Sequence, residues 1–319
     1  LMIETVVSIA LPVGERLTIE KNRLLPQGAD SETDRNKNRK RLAIVTGIHG
    51  DELEGQSVCY ELNRRLAAHP EHLKGIVDIY PAVNPLGIDS VTRSIPMFDL
   101  DMNRIFPGSR HGSMAEQIAA GVIEDLSGAD LCIDIHASDI YLREVAQVRI
   151  SEDTAQQLLP WARLLNADFV WIHASATVLE ATLAHSLNMI GTPTLAVEMG
   201  VGMRITRQYT EQLVTGIFRV MQEMGIWDGP TEPVRTPVIS TDGEVELVNA
   251  SCSGIFMPCA AFGTQVKKGT LLGEIVRPLT GQVLERVLSP IDGLLFTRRE
   301  YPVVYEGALL ARVLGGEKK

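Results

Sequence analysis

With 319 residues, of which 45% are hydrophobic, the chain can build one large core and a smaller second unit, so two domains are the starting expectation. A formal net charge of -10 excludes a general polyanion-binding surface, and nucleic acid is not an expected partner. The cysteines show no CxxC pairing that would signal a disulfide scaffold, and no apolar run approaches the ~18–20 residues of a membrane span.

The first run, "LMIETVVSIALPVGERL", carries an acid at Glu4, lacks a basic leader and breaks at Pro12 and Gly14. It reads as a strand and turn rather than a signal peptide, and a cytoplasmic location is expected. Residues 27–41, "QGADSETDRNKNRKR", alternate acids and bases and read as a solvated loop. Beyond them, the apolar runs "LAIVTGI", "GIVDIYPAV", "ADLCIDIHA", "EVAQVRI", "DFVWIH" and "PTLAVEM" alternate with helix-like stretches at 53–68, 114–126, 153–165, 178–189 and 206–224. This alternation predicts an α/β domain with a mainly parallel sheet, whose ligands gather at the carboxyl ends of strands. At "WDGPTEPVRTP" the prolines Pro230, Pro233 and Pro237 end the helical pattern. The expected division is therefore an α/β domain over 1–230 and a small all-β domain over 231–319, where "KKGTLLGEI" and "YEGALLARV" repeat one strand-and-turn rhythm.

The chemistry begins at "GIHGDELEG". His49 closes a predicted strand, Gly50 allows a sharp turn, and Asp51 can cap the next helix with Glu54 at its third position, which leaves Glu54 a capping or solvent-facing role. His49 and Glu52 can then converge on one point, as a divalent metal requires. An HxxE pair alone is a weak signal, because a catalytic zinc takes a third protein ligand and keeps one position open. His136, closing "ADLCIDIHAS", is the candidate, with Asp134 on the same strand face. Ligating imidazoles commonly pass their second N–H to a carboxylate, although the pattern leaves open which histidine Asp134 supports. Glu198 closes "PTLAVEMGVG", and an acid ending so apolar a strand is costly without a partner or a job. Beside a metal-activated water it could take the proton and return it to a leaving amine. The irregular stretch "VTRSIPMFDLDMNRIFPG" supplies Arg93, and Arg104 next to Asn103, a fork suited to gripping a carboxylate. Taken singly, each residue has a bland counterpart: a structural histidine, a strand-end acid or a surface ion pair.

Together, HxxE, "NPLG", "DMNRIFPG", "DIH" and "VEMG" resemble, in order and approximate spacing, the succinylglutamate desuccinylase and aspartoacylase family, related to the zinc carboxypeptidases, over roughly residues 40–225. The resemblance implies a zinc carboxypeptidase-like domain with one Zn2+ per chain on His49, Glu52 and His136. It implies Glu198 as general base and acid, Arg93 as the group polarising the scissile carbonyl, and Asn103 and Arg104 as binders of the substrate α-carboxylate. The implied activity is hydrolysis of a small anionic N-acyl amino acid. Aspartoacylase itself carries a further arginine about ten residues before the catalytic Glu, whereas "AHSLNMIGTPTLAVE" has Asn188 and no arginine, which argues against N-acetylaspartate. The wording is closer to bacterial diaminobutyrate deacetylases. A metallocarboxypeptidase or peptide amidase using the same apparatus, and a non-catalytic metal-binding scaffold, are the alternatives.

The C-terminal stretches "GTQVKKGTLLGEI" and "SPIDGLLFTRREYPVVYEGALLARV" resemble the barrel-sandwich hybrid of biotinyl and lipoyl domains. The turn "VRPLTGQVLER", where a carrier domain presents its modified lysine, has none. This leaves the domain to shape the cleft mouth or a homo-oligomer interface. Tyr301 and Tyr305 are its candidates for reaching the site, with solvent-facing strand positions the expected placement.

Overall fold

The structure, a computed structural model, describes residues 2–29, 39–174 and 180–315. Most of the stretch expected as a solvated loop, at 30–38, lies outside these residues, as does the start of the helix-like stretch at 178–189. The strands of the first part are β1 (Met2–Ala10), β2 (Arg16–Leu24), β3 (Arg41–Thr46), β4 (Ile76–Tyr80), β5 (Leu131–Ala137), β6 (Leu142–Ser151), β7 (Phe169–His173) and β8 (Thr194–Gly200). The helices are α1 (Glu54–Ala68), α2 (Pro85–Ser90), α3 (Met114–Leu126), α4 (Ala155–Ala162), α5 (Leu183–Met189) and α6 (Arg207–Glu223).

The neighbouring strands β4, β3, β5 and β8 are parallel, and they occupy the middle of a larger mixed sheet. β2 closes one side antiparallel to β4, and β6 runs antiparallel to β8 on the other. Near-continuous apolar runs suit strands covered on both faces. On one face α1 and α6 bury Val58, Leu62 and Leu66 against Leu213, Ile217 and Val220. On the other, α3 and β1 bring Ile118 and Val122 together with Val7. α3 starts with a capping box, in which Ser113 N–H donates to Glu116 Oε2 at 2.7 Å and Glu116 N–H donates to Ser113 Oγ at 3.4 Å.

A buried ion cluster fastens the N-terminal hairpin to the sheet. Asp78, fully buried on β4, accepts from Arg23 Nε and Nη2, both at 2.9 Å, and from Arg41 Nε at 2.8 Å. Removing a buried acid leaves its cations unpaired, which costs more than the pair itself contributes. Asp78→Ala is expected to destabilise the fold by about 3–5 kcal/mol, read as a lower midpoint in urea unfolding; an unchanged midpoint would show that the cluster contributes nothing net.

Strands from both sides of residue 231 share the main sheet. The later strands are β9 (Val238–Thr241), β10 (Val245–Asn249), β11 (Gly254–Pro258), β12 (Gln265–Val266), β13 (Leu271–Arg277), β14 (Gln282–Leu288), β15 (Gly293–Arg299), β16 (Val303–Val304) and β17 (Leu309–Leu314). β9 extends the sheet beside β7, and β15 joins β6 antiparallel with Thr297 opposite Glu144. β14, β13, β11 and β16 form a separate four-stranded sheet, and Phe256, Leu272 and Ile275 meet Leu295, Leu310 and Val313 in a small apolar core. No α-helix follows α6 among the described residues, and no described helix is long and apolar enough to cross a membrane.

Candidate active site

The parallel strands deliver three of the sequence-predicted side chains to one end of the sheet. β3 leads through Gly47, whose φ is +69°, into Ile48 and His49. Gly50 is needed for space: a Cβ there would lie 1.9 Å from the carbonyl carbon of Gly87, so the loop could not close on α2. The expected acidic capping box does not form. Leu53 is the N-cap without a side-chain bond, and Glu54, fully buried, accepts from Thr206 N at 2.6 Å and from Thr206 Oγ1 at 2.7 Å. Glu54 thereby ties the start of α1 to the start of α6, and neither caps its own helix nor faces solvent.

His49, Glu52 and His136 are all buried, and one ligand atom from each lies within 4.8 Å of the others. Glu52 sits between the rings: its Oε1 is 2.7 Å from His49 Nδ1 and its Oε2 is 3.0 Å from His136 Nδ1. Both Nδ1 atoms thus point inward and both Nε2 atoms outward. His49 Nε2 meets Asp101 Oδ1 at 3.0 Å, and His136 Nε2 lies 3.1 Å from Asp134 Oδ2, out of line for a hydrogen bond. Asp134 therefore accompanies His136, while Asp101 accompanies His49.

Electrostatics follow from this crowd of acids. Burial alone would lift Glu52, but the two imidazoles override it and hold its carboxyl well below the usual range. Burial would lower both histidines, yet Glu52 and Asp101 raise His49, and Asp134 and Glu52 raise His136. A centre that favours positive charge on two rings has the charge balance for a divalent ion, which would displace those protons. Two nitrogens and a carboxylate, each supported by a further group, also match the donor chemistry of a catalytic zinc centre.

Glu198 stands beside this group. In the β5–β8 register it is opposite His136, so both side chains share one face of adjacent strands, and Glu198 is 20% exposed. Burial pushes its carboxyl up to about 7 against the opposing pull of Arg149 and His136. The turn that follows depends on Gly200, with φ +69° and an added Cβ only 2.0 Å from Glu54 Oε1.

The segment 93–104 closes the other side. Arg93 donates from Nη1 to Glu52 Oε1 at 2.9 Å and from Nε to Asp101 Oδ2 at 3.2 Å. Asn103 is buried, and its Oδ1 accepts from Leu183 N at 2.9 Å at the start of α5. Arg104 is exposed, with Nη1 on the Asn103 carbonyl oxygen at 2.8 Å. Tyr301 packs edge-on against Tyr141 at the surface, and Tyr305 is 75% exposed.

A family model, the succinylglutamate desuccinylase/aspartoacylase catalytic domain, matches residues 38–224. The chain belongs to that family. Its fold is the zinc carboxypeptidase-like one, a mixed sheet with flanking helices and an all-β region at the C-terminal end. The N-alpha-acetyl-L-2,4-diaminobutyric acid deacetylase of Halomonas elongata is 28% identical over 272 residues, which cover 81% of this chain and 77% of that one. Among solved structures, the product-bound ectoine utilization protein EutE (DoeB) of Ruegeria pomeroyi aligns with a TM-score of 0.79 at 24% identity, over 98% of this chain and 93% of that one. A succinylglutamate desuccinylase/aspartoacylase of Rhodobacter sphaeroides aligns at 0.78 and 22% identity, over 99% and 96% of the two chains.

Sequence reasoning missed three groups. Asp101 opens the "DMNRIFPG" stretch, but it was given no role there. Gln147, fully buried, is opposite Glu198 on β6, and neither its amide nitrogen nor its amide oxygen has a partner. Arg149 reaches Glu198 Oε1 at 3.5 Å. Polar residues at alternate positions inside the apolar strand "EVAQVRI" were the available signal.

Proposed function

We propose that the protein is a zinc-dependent hydrolase of small N-acyl amino acids, with one Zn2+ per chain held by His49, Glu52 and His136. The observation that carries this reading is the strand register that sets Glu198 beside His136, so that a carboxyl with raised proton affinity flanks a two-histidine, one-carboxylate centre. When bound, the ion supplies a Lewis acid for the amide carbonyl and makes a water acidic enough to attack near neutral pH. Glu198 accepts the proton as the C–O bond forms and returns it to the nitrogen as the C–N bond breaks, yielding a carboxylate and a free amine. Arg93 donates to the acyl oxygen as negative charge develops there. Asn103 and Arg104 hold the α-carboxylate and fix the amide in register. Asp134 and Asp101 orient the two imidazoles.

The deacylase relatives support this substrate class. The all-β region, proposed as a unit over 231–319, meets the β6 side of the site through Thr297 and Arg312, both on Glu144 Oε1. A site bounded on that side would favour a small substrate over a peptide. Turnover should separate the two arginines by kind of effect. Arg104→Ala should raise KM roughly tenfold or more and abolish discrimination between an N-acyl amino acid and its carboxamide, since it removes a charge-assisted contact made before the chemical step. Arg93→Ala should act mainly on kcat, because its donor meets charge that exists only in the transition state. Steady-state kinetics test both. Equal turnover of acid and carboxamide by the wild type would mean that no α-carboxylate is read.

A further inference from the structure

The proposed base stands in a row drawn from three neighbouring strands. Across β5, β8 and β6 the register sets His136, Glu198 and Gln147 side by side. In an antiparallel pair such as β6 and β8, opposed residues share a face of the sheet with their Cβ atoms about 5 Å apart. Their chain neighbours agree: Val197 and Met199 on β8, and Ala146 and Val148 on β6, turn the other way, into the core that α1 and α6 cover. Gln147 is therefore on the site's side of the sheet, next to Glu198.

This glutamine is at odds with its surroundings. It is fully buried, and both its Nε2 and its Oε1 lack a hydrogen-bond partner. No other described side chain has two buried polar atoms in that state. An amide withdrawn from water and left unbonded is costly, whereas a methionine of similar size would fill the same space without that cost. Departures of this kind gather at functional sites. Two groups beside it are also incompletely bonded. Arg149, two residues on and so on the same strand face, has its Nε buried without an acceptor, while its Nη2 donates to Glu144 at 2.9 Å. The Glu198 carboxylate accepts no hydrogen bond among the described residues, and Arg149 Nη1 faces it as an ion pair at 3.5 Å. The charge of Arg149 is already met by Glu144, Glu198 and Glu52. What the acid lacks is a directed neutral donor, since the last torsion of a glutamate is soft and charge at that distance does not fix it.

We propose that Gln147 is a positioning residue for Glu198, its Nε2–H donating to the Glu198 carboxylate and its Oε1 accepting from Arg149 Nε–H, so that the acid is held facing the histidine centre. This rests on the hydrolase function proposed above, in which Glu198 is the base. An amide carries both of the missing halves, two N–H donors and a carbonyl acceptor. Rotation about the last side-chain bonds of Gln147 and Glu198 brings the groups together. The bridge satisfies Gln147 Nε2, Gln147 Oε1 and Arg149 Nε at once. It also engages one carboxylate oxygen and leaves the other for the proton of the attacking water.

The test uses the zinc-loaded full chain with N-acetyl and N-succinyl amino acids. Gln147→Met keeps the length of the side chain and removes the amide; it should lower kcat ~10–100-fold, the cost of a misaimed catalytic group, with KM and metal content at wild-type values. Because Gln147 acts through Glu198, the same substitution in a Glu198→Gln background should change the residual single-turnover rate by no more than about twofold. A residue that only fills space would slow both proteins alike. Gln147→Asn, with the amide on a shorter arm, should give an intermediate kcat and serves if the methionine variant fails to fold. A second measurement needs no turnover. The side-chain N–H resonances of Gln147, assigned by their loss in either variant, should lie downfield of the other glutamine amides and return among them in Glu198→Ala. If that response holds while no N-acyl amino acid is hydrolysed, the bridge stands and the hydrolase function falls. A wild-type kcat in a folded Gln147→Met protein, an equal loss in the Glu198→Gln background, or amide resonances indifferent to Glu198→Ala overturns the bridge.

Discussion

Glu198→Gln should lower kcat by ~10²–10⁴-fold while leaving the fold and the metal content unchanged. Glutamine keeps the shape of the side chain and its place opposite His136, but it cannot accept a proton from the attacking water or return one to the leaving nitrogen. Few other acids compete for this role. Glu52 is committed to both imidazoles, the Arg93 guanidinium and the Ala137 backbone N–H at 3.1 Å, and its carboxyl is held strongly ionised. Asp134 and Asp101 lie on the outward nitrogens of the histidines. Glu198 alone among these acids combines a raised proton affinity with partial exposure and the neighbouring strand position. Rapid-quench measurement of a single turnover, together with metal analysis, would check it. Single-turnover rates within a few-fold of wild type in a fully metallated Glu198→Gln protein would move the base elsewhere.

The half of the candidate site on β3, β5 and β8 was legible because apolar runs there end abruptly in His49, His136 and Glu198, where a polar side chain is costly without a partner. The helices were legible for a related reason: 114–126 and 53–68 carry a 3.6-residue apolar stripe, and α3 and α1 occupy Met114–Leu126 and Glu54–Ala68. On β6 the alternation of Gln147 and Arg149 could be read, but the pairing of Glu144 with Arg149 was hidden by the strand's own geometry. Glu144 and Arg149 are an odd number of residues apart, which in a regular strand would send them to opposite faces. The register shifts between Glu144 and Gln147, and this irregularity restores the phase so that both side chains meet. Nothing in a period-two reading announces a bulge. Glu54 misled for the opposite reason: its local spacing from Asp51 suited a cap, but the bond it makes is to Thr206, 152 residues away, and long-range pairing of that kind leaves no local trace. Asp101 stands at the head of "DMNRIFPG", but its contact with His49 was silent, since only the folded chain brings that irregular connection to the ring.

Metal affinity should fall in two steps of different size when the centre is dismantled from the inside or from the outside. His49→Ala and His136→Ala each remove one of three donors whose ligand atoms already lie within 4.8 Å of one another, so neither variant should retain one zinc per chain after dialysis. The outward acids act through the rings. Asp101→Asn and Asp134→Asn keep the side-chain volume but remove the negative charge on which His49 Nε2 and His136 Nε2 lean, at 3.0 and 3.1 Å. A ligating imidazole that loses such a partner typically binds its metal ~10–100-fold more weakly. Asp101→Asn should be the larger of the two losses. Its carboxylate is in line with the ring nitrogen and also holds Arg93 and the Asn103 backbone N–H, whereas the Asp134 contact is out of line and Asp134 Oδ1 has no partner. Competition against a chromophoric chelator measures these affinities without any assay of turnover. Stoichiometric, wild-type-like zinc in the His49→Ala, His136→Ala double variant would remove the metal from this centre altogether. Wild-type affinity in both asparagine variants would mean that the acids stabilise the two histidines in the fold and contribute nothing to the ion.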